Sequence, residues 1–191
     1  MSNGLPKRIY WRLLRALGCS QSSWDKQFEA GVWDRGPRSP HTVERVVKLC
    51  HGGRLVEFGC GEGTLAPLLP PSCYSEYFGF DISKVAVDRA AEKALAAGMT
   101  NCHYEQGDMA KWTGIPGTAL ILAEECLYYL SPVEVEKFLR RCCECLVPDG
   151  HILVIVHSAT KHKRTLDVCR EVCRVVEEAQ VETRAYLTLV P

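Results

Sequence analysis

The sequence has no excess of either charge. With 23 Lys plus Arg against 23 Asp plus Glu, it offers no global field to hold a polyanion or an anionic bilayer, which argues against nucleic acid as a substrate. Long apolar runs are missing as well. No stretch approaches the roughly 18 to 20 residues that would cross a bilayer. The opening MSNGLPKRIYWRLLRALG breaks its apolar positions with Lys7, Arg8, Arg12 and Arg15, unlike a secretory signal. A Gly-Lys-Ser or Gly-Lys-Thr step is absent, which excludes the phosphate loop of nucleoside triphosphatases. No cluster of His and carboxylates has the arrangement of a metal site.

Cysteine, by contrast, is plentiful: there are 11, an odd number, spread from Cys19 to Cys173. A chain of 191 residues, 47% of them hydrophobic, is one domain of ordinary size that can stand on its core without covalent staples. The thiols are therefore expected to be reduced, in a cytoplasmic protein. Cys142 with Cys145, and Cys169 with Cys173, have spacings that resemble metal pairs but belong to helical periodicity, as small buried thiols: Val135, Leu139, Cys142 and Leu146 form one stripe that Cys145 flanks, and Leu166, Cys169, Cys173 and Val176 the other.

Apolar runs of strand length at Leu55–Phe58, Tyr77–Phe80, Cys102–Glu105, Ala119–Ala123 and Ile152–Val156 alternate with helical patterns. One helix is expected over 41–50, with Val43, Val46, Val47 and Cys50 on one side. Another is expected after Ser83, with Val85, Ala86, Ala90, Ala94 and Leu95 inward, and a third opens at Ser131-Pro132-Val133-Glu134 with a capping box. A last helix is expected at about 165–179, followed by one strand. The fold class is α/β: a Rossmann-like, doubly wound, mostly parallel sheet with helices on both faces, forming a single domain over 41–191 under an N-terminal helical cap over 1–40. Such sheets bind ligands beyond the carboxyl ends of their strands.

The loop after the first strand is the informative one. VEFGCGEGT places Glu57 at a strand end and then Gly59, Gly61 and Gly63, two residues apart, a turn on which a ligand can lie against bare amides. Asp81, 18 residues after Gly63, ends the next strand with a carboxylate suited to the two hydroxyls of a ribose. The third strand ends at Gly107-Asp108-Met109, where Asp108 suits an exocyclic amine and Met109 a flat ring. The spacing is not the G-x-G-x-x-G of nicotinamide dinucleotide enzymes, since position 64 is Thr64 and the third glycine comes one residue early.

Glu57-x-Gly59-x-Gly61-x-Gly63, Gly79-Phe80-Asp81 and Gly107-Asp108-Met109 resemble the successive cofactor motifs of class I S-adenosylmethionine-dependent methyltransferases, over about residues 41–160. That resemblance implies S-adenosylmethionine as cofactor and S-adenosylhomocysteine as product. It implies a cofactor site of Glu57, Gly59, Cys60, Gly61, Gly63, Asp81, Ile82, Asp108, Met109 and Glu124, in which Glu57 supports the glycine loop indirectly. LILAEECLYYLSP is similar to a segment of nodulation-type small-molecule N-methyltransferases, as is Trp24-Asp25, Phe28, Gly31, Trp33-Asp34 upstream. Directly after the fifth strand, His157 is a candidate base by position, and the subgroup implies Glu125 and Tyr129 as the other candidate catalytic residues. It also implies a lid and acceptor wall of Trp24, Phe28, Trp33 and Tyr128, although the aromatics would equally cover an exposed sheet edge.

Of the candidate bases, a tyrosine with a pKa near ~10 is poor at neutral pH and a histidine near ~6.5 is better matched. His41, His51, His103, His151 and His162 have no partner group in the sequence. The expected activity is methyl transfer to nitrogen or oxygen of a small polar acceptor, aminosugar-like or similar. The expected assembly is a monomer or homodimer without nucleic acid, membrane span or metal. A non-catalytic cofactor-binding partner protein and a nicotinamide-dependent oxidoreductase are the alternatives. The family commonly closes its sheet with a two-stranded hairpin, and only one final strand, 181–190, is expected here, so either the subgroup ends one strand short or a partner chain completes the edge.

Overall fold

The computed structural model describes residues 21–33 and 38–191. The basic segment over 1–20, Cys19 within it, and Asp34, Gly36 and Pro37 lie outside the described residues.

A helix, α1 (Gln21–Glu29), precedes α2 (Pro40–Cys50) and the first strand, β1 (Arg54–Phe58). The chain then alternates through β2 (Tyr77–Asp81), α3 (Lys84–Ala96), β3 (Cys102–Gln106), β4 (Thr118–Glu124), α4 (Pro132–Cys145), β5 (Leu146–Val156) and α5 (Lys163–Val172), and ends in β6 (Arg174–Val181) and β7 (Arg184–Val190). The seven strands make one sheet in the order β3-β2-β1-β4-β5-β7-β6. The pairings among β1 to β5 are parallel, and β7 runs antiparallel to both β5 and β6.

Mostly apolar runs, Leu55–Phe58 broken only by the buried Glu57, put β1, β4 and β5 in the middle of the sheet, because a strand buried on both faces has no solvent side to mark. Leu55, Val56, Leu122 and Val154 are fully buried. Alternate residues feed two cores: Val56, Phe58, Ile121 and Val154 pack with Phe138 and Leu139 of α4, whereas Leu55, Leu120 and Leu122 pack with Val46 of α2 and Tyr186 of β7. Strand order reverses between β2 and β4, on either side of β1, so a crevice must open there.

The helix starts follow their chemistry. Ser83 accepts the Ala86 N–H at 3.3 Å, and Ser131 with Glu134 forms the reciprocal capping box at 3.4 Å and 2.8 Å. The inward faces differ from the sequence expectation at two places. In α2 the buried side chains are Thr42, Val46, Leu49 and Cys50, and Val47 is 39% exposed; in α3 Val87 is buried and Leu95 is 83% exposed.

The end of the chain is a larger correction. The last helix stops at Val172, and Arg174–Val181 is a strand that pairs with β7, so the hairpin is complete within the chain and no partner is needed to supply a strand. The stripe Leu166, Cys169, Cys173, Val176 suggested continued helix, but only its first two members lie in α5. β6 is an edge strand whose burial alternates residue by residue, and a helical and a two-residue period coincide over so short a run.

Candidate functional site

The crevice begins at the bend after β1. Gly59, Gly61 and Gly63 all have left-handed φ, at +72°, +54° and +70°. Gly63 is further constrained by packing: a Cβ there would stand 2.9 Å from both Ala90 Cβ and Tyr104 Oη, which only glycine avoids. Gly59 and Cys60 donate their amides to Phe80 O at 2.8 Å and 3.2 Å, locking the bend to β2. The Cys60 side chain is buried, and the amides of Gly59, Cys60, Gly61 and Gly63 are all bonded within the protein, so the bare amides expected of this bend are already engaged. Burial, with Asp81 and Glu57 nearby, holds the Cys60 thiol well above its ordinary pKa and makes it inert.

Asp81 sits across the bend. One carboxylate oxygen accepts the Gly61 N–H at 3.0 Å and the other the Ser83 N–H at 2.9 Å. Burial pushes the Asp81 carboxyl above its ordinary pKa despite these bonds, and Asp25 adds to the rise. Asp25 arrives from α1 and accepts from Ser83 Oγ at 2.7 Å and Val85 N at 3.3 Å, while Arg89 of α3 donates to Phe28 O at 3.0 Å. The N-terminal helix is thereby seated on α3, and the buried ring of Phe28 lies against Gly61. Ile82 is partly buried, and its carbonyl accepts from Gln106 at 3.1 Å.

Under the bend lies an arginine that sequence reasoning missed. Arg38, ahead of α2, pairs with the fully buried Glu57 at 2.6 Å, donates to Glu124, and reaches Thr64 Oγ1 at 3.1 Å. Tyr77 donates to the other oxygen of Glu57. Glu124 also holds Arg184 of β7 at 2.8 Å and Thr42 of α2 at 3.4 Å. Burial alone would lower the Arg38 pKa, but the charges of Glu57 and Glu124 outweigh it and hold the guanidinium above its ordinary value. Glu57 and Glu124 are therefore structural anions engaged by arginines rather than free ligand-facing groups. No local pattern marks Arg38 and Arg184, which lie 86 and 60 residues from Glu124.

Beyond β4 the chain turns sharply. Glu125 has φ +58°, rare for a side chain with a Cβ, and its amide is tied to Ile155 O at 2.9 Å. A Cβ on Gly59 would approach Cys126 Cβ to 3.1 Å and Glu124 O to 3.4 Å, so this turn abuts the glycine bend. Glu125 Oε2 accepts from Tyr128 Oη at 2.9 Å and binds His157 Nδ1 at 2.8 Å, and its Oε1 is buried with no hydrogen-bond partner among the described residues. Burial, Tyr129 and Glu125 raise the Tyr128 pKa, so that phenol stays protonated and donates.

Contrary to the sequence reading, His162 has a partner. It stacks on Tyr128 at 3.8 Å and 17° and meets His157 edge-on at 4.8 Å, and burial, His157 and Lys161 hold its pKa below the ordinary value. The aromatic series continues through Tyr129, 4.8 Å from Tyr128, to Trp24 at 5.1 Å and Trp33 at 5.5 Å from Trp24. It joins α1 to the turn after β4.

Asp108 stands at the end of β3. Its carboxylate accepts from Ala110 N at 2.9 Å and lies 3.5 Å from Lys111 Nζ, beside a cavity of about 250 Å³ lined by Phe58, Phe80, Gly107, Asp108 and Trp112 among others. Met109 packs on the core, and Arg141 of α4 holds the Met109 and Ala110 carbonyls at 3.2 Å and 2.9 Å. Among the described residues no group of three or more His, Cys, Asp or Glu could hold a metal ion, and no helix is long and apolar enough to cross a membrane. All ten described cysteines are free thiols.

A glycine bend at the switch point of a 3-2-1-4-5-7-6 sheet, faced by acids at the ends of β1, β2 and β4, defines a class I methyltransferase architecture. The chain belongs to the methyltransferase-domain family, whose pattern matches residues 55–150, half of the chain. It is 24% identical, over 71% of its length, to 2-heptyl-1-hydroxyquinolin-4(1H)-one methyltransferase of Mycobacteroides abscessus, and spans 60% of that relative.

Among solved structures it is similar in fold to the N-methyltransferase NodS of Bradyrhizobium japonicum WM9 in complex with S-adenosyl-L-homocysteine, with TM-score 0.64, 16% identity, and coverage of 78% of this chain and 85% of that one. It is also similar to the O-methyltransferase NcsB1 of neocarzinostatin biosynthesis, in complex with S-adenosylmethionine and 2-hydroxy-5-methyl naphthoic acid. There the TM-score is 0.65 at 15% identity, over 95% of this chain and 60% of that one.

Proposed function

We propose that the protein transfers a methyl group from S-adenosylmethionine to a nitrogen or oxygen of a small polar acceptor. The observation that carries this reading is the Glu125 carboxylate, held by Tyr128 and His157 on a strained turn that abuts the glycine bend.

The residues at the crevice fit this cofactor. Asp81 keeps unused lone pairs on both oxygens for the ribose hydroxyls, and the methionine portion would lie along the backbone of the Gly59–Gly61 bend. Four carboxylates, Glu57, Asp81, Glu124 and Glu125, gather at the strand ends. Arg38 and Arg184 answer two of them, so the local field suits a cation with ammonium and sulfonium groups better than a pyrophosphate. That charge pattern favours the methyl donor over a nicotinamide dinucleotide. Asp108 and Met109 would flank the adenine. Glu57 and Glu124 would act through Arg38, which fixes the floor of the bend.

When bound, S-adenosylmethionine supplies a methyl group on a sulfonium that is already a strong electrophile, so the protein's work is alignment and removal of a proton. His157 Nδ1 lies 2.8 Å from Glu125 Oε2; in the tautomer that carries its proton on Nδ1, Nε2 would be left to accept the proton of an N–H or O–H nucleophile. Tyr128 completes the hold on Glu125, and Tyr129 with Trp24 would wall the acceptor. Within the 1–40 cap, Trp24, Phe28 and Trp33 would form a lid over the 41–191 domain and exclude water.

A screen of amines, aminosugars and phenols with labelled cofactor tests the reading. Transfer to at least one acceptor is expected. Glu125→Gln and His157→Ala should each lower turnover about 10²-fold with S-adenosylhomocysteine affinity nearly unchanged. Cofactor binding without transfer to any acceptor would make the protein a binding partner instead. Equal losses of turnover and affinity would move Glu125 into the cofactor site.

A further inference from the structure

Away from the crevice, Cys143 on α4 and Cys173, between α5 and β6, bring their sulfurs to 3.7 Å without a bond between them. The pair differs from its neighbours. Cys142 and Cys169 are fully buried, and burial raises their thiols far above the ordinary pKa, so they are unreactive. Cys143 is only partly buried. The contact between the two sulfurs, with Arg140 nearby, favours the anion at Cys143 and brings its pKa down to about 7 against the opposing effect of burial. A nucleophilic thiolate that solvent can reach thus stands next to a second, protonated thiol within bonding range of a small shift.

We propose that Cys143 and Cys173 are a redox-active dithiol that a hydroperoxide converts to a reversible intramolecular disulfide. In the first step the Cys143 thiolate attacks one peroxide oxygen. The O–O bond breaks, Cys143 becomes a sulfenic acid, and the departing hydroxide takes a proton to leave as water. In the second step Cys173 sulfur attacks Cys143 sulfur, the S–O bond breaks, and the hydroxide released takes the Cys173 proton as water. The two thiols lose two electrons and hydrogen peroxide is reduced to two waters, so the balance closes with the peroxide as the sole oxidant.

The bond would close a loop from 143 to 173. That loop contains β5 and both His157 and His162, and the staple would join α4 to the far end of the helix that His162 begins.

The experiment uses the full chain and hydrogen peroxide in small excess, followed by peptide mapping without reductant. The expected product is a linked pair of peptides containing Cys143 and Cys173, lighter than the separate peptides by two hydrogens and separated again by dithiothreitol. The oxidised protein should melt several degrees higher, as expected for a closed loop of about 30 residues. In Cys173→Ser the reaction should stop at a sulfenic acid on Cys143, captured by dimedone, and Cys143→Ser should yield neither product. Wild-type mapping decides the matter even if a variant fails to fold. Intact thiols at both positions while other cysteines oxidise, or a bond from Cys143 to a different cysteine, would overturn the proposal.

Discussion

Asp25 accepts a hydrogen bond of 2.7 Å from Ser83, the residue that caps α3 and also donates its own amide to Asp81. One serine therefore links the N-terminal helix to the carboxylate across the glycine bend. Removing Asp25 breaks two bonds to a charged acceptor, Ser83 Oγ and Val85 N. Each bond to a charged acceptor is worth about 1.5–3 kcal/mol, so in Asp25→Ala the amides of residues 21–29 should exchange faster with solvent, and the loosened seat should weaken S-adenosylhomocysteine binding about 10-fold. Exchange unchanged over 21–29 would mean that other contacts seat the helix.

Arg38 should be among the least replaceable residues outside the apolar core. Arg38→Met leaves Glu57 without its cation in a fully buried position and Glu124 with Arg184 alone. Loss of one partner of a buried pair costs about 3–5 kcal/mol, readable as a lower urea midpoint. Adding Glu57→Gln to Arg38→Met should recover part of the loss, since the charge left unpaired is then gone. Strictly additive losses would deny the coupling.

His162 makes stability pH-dependent in a defined direction. Its folded-state pKa lies below the ordinary ~6.5, so the unfolded chain binds the proton more readily. The stabilisation is complete above about pH 6.5 and is lost as the pH falls through the lower folded-state value. Melting temperature should drop between about pH 7 and pH 5, and His162→Phe, which keeps a ring on Tyr128, should flatten that drop. An unchanged slope in the variant would assign the dependence elsewhere.

The motifs in the sequence were enough to locate the bend and the acids, because glycines with left-handed φ and carboxylates at strand ends are fixed by local geometry. Glu57, Asp81 and Glu125 fall at the ends of β1, β2 and β4 as the strand pattern requires. What the motifs hid was long-range. Arg38 and Arg184 meet Glu124 from opposite ends of the chain, and His162 meets Tyr128 through a helix start with no motif of its own. The edge strand β6 was concealed differently: its paired Val175-Val176 and Glu177-Glu178 show no two-residue alternation and follow directly on a helical cysteine stripe, and a period cannot be read across a junction.

Titration calorimetry with S-adenosylhomocysteine and with NAD, on the wild-type chain and on Asp81→Ala, tests the central claim most directly. Wild type should bind S-adenosylhomocysteine and not NAD, and Asp81→Ala should lose the binding while remaining folded by circular dichroism. Wild-type affinity retained in a folded Asp81→Ala protein, or binding of NAD in place of S-adenosylhomocysteine, would contradict it.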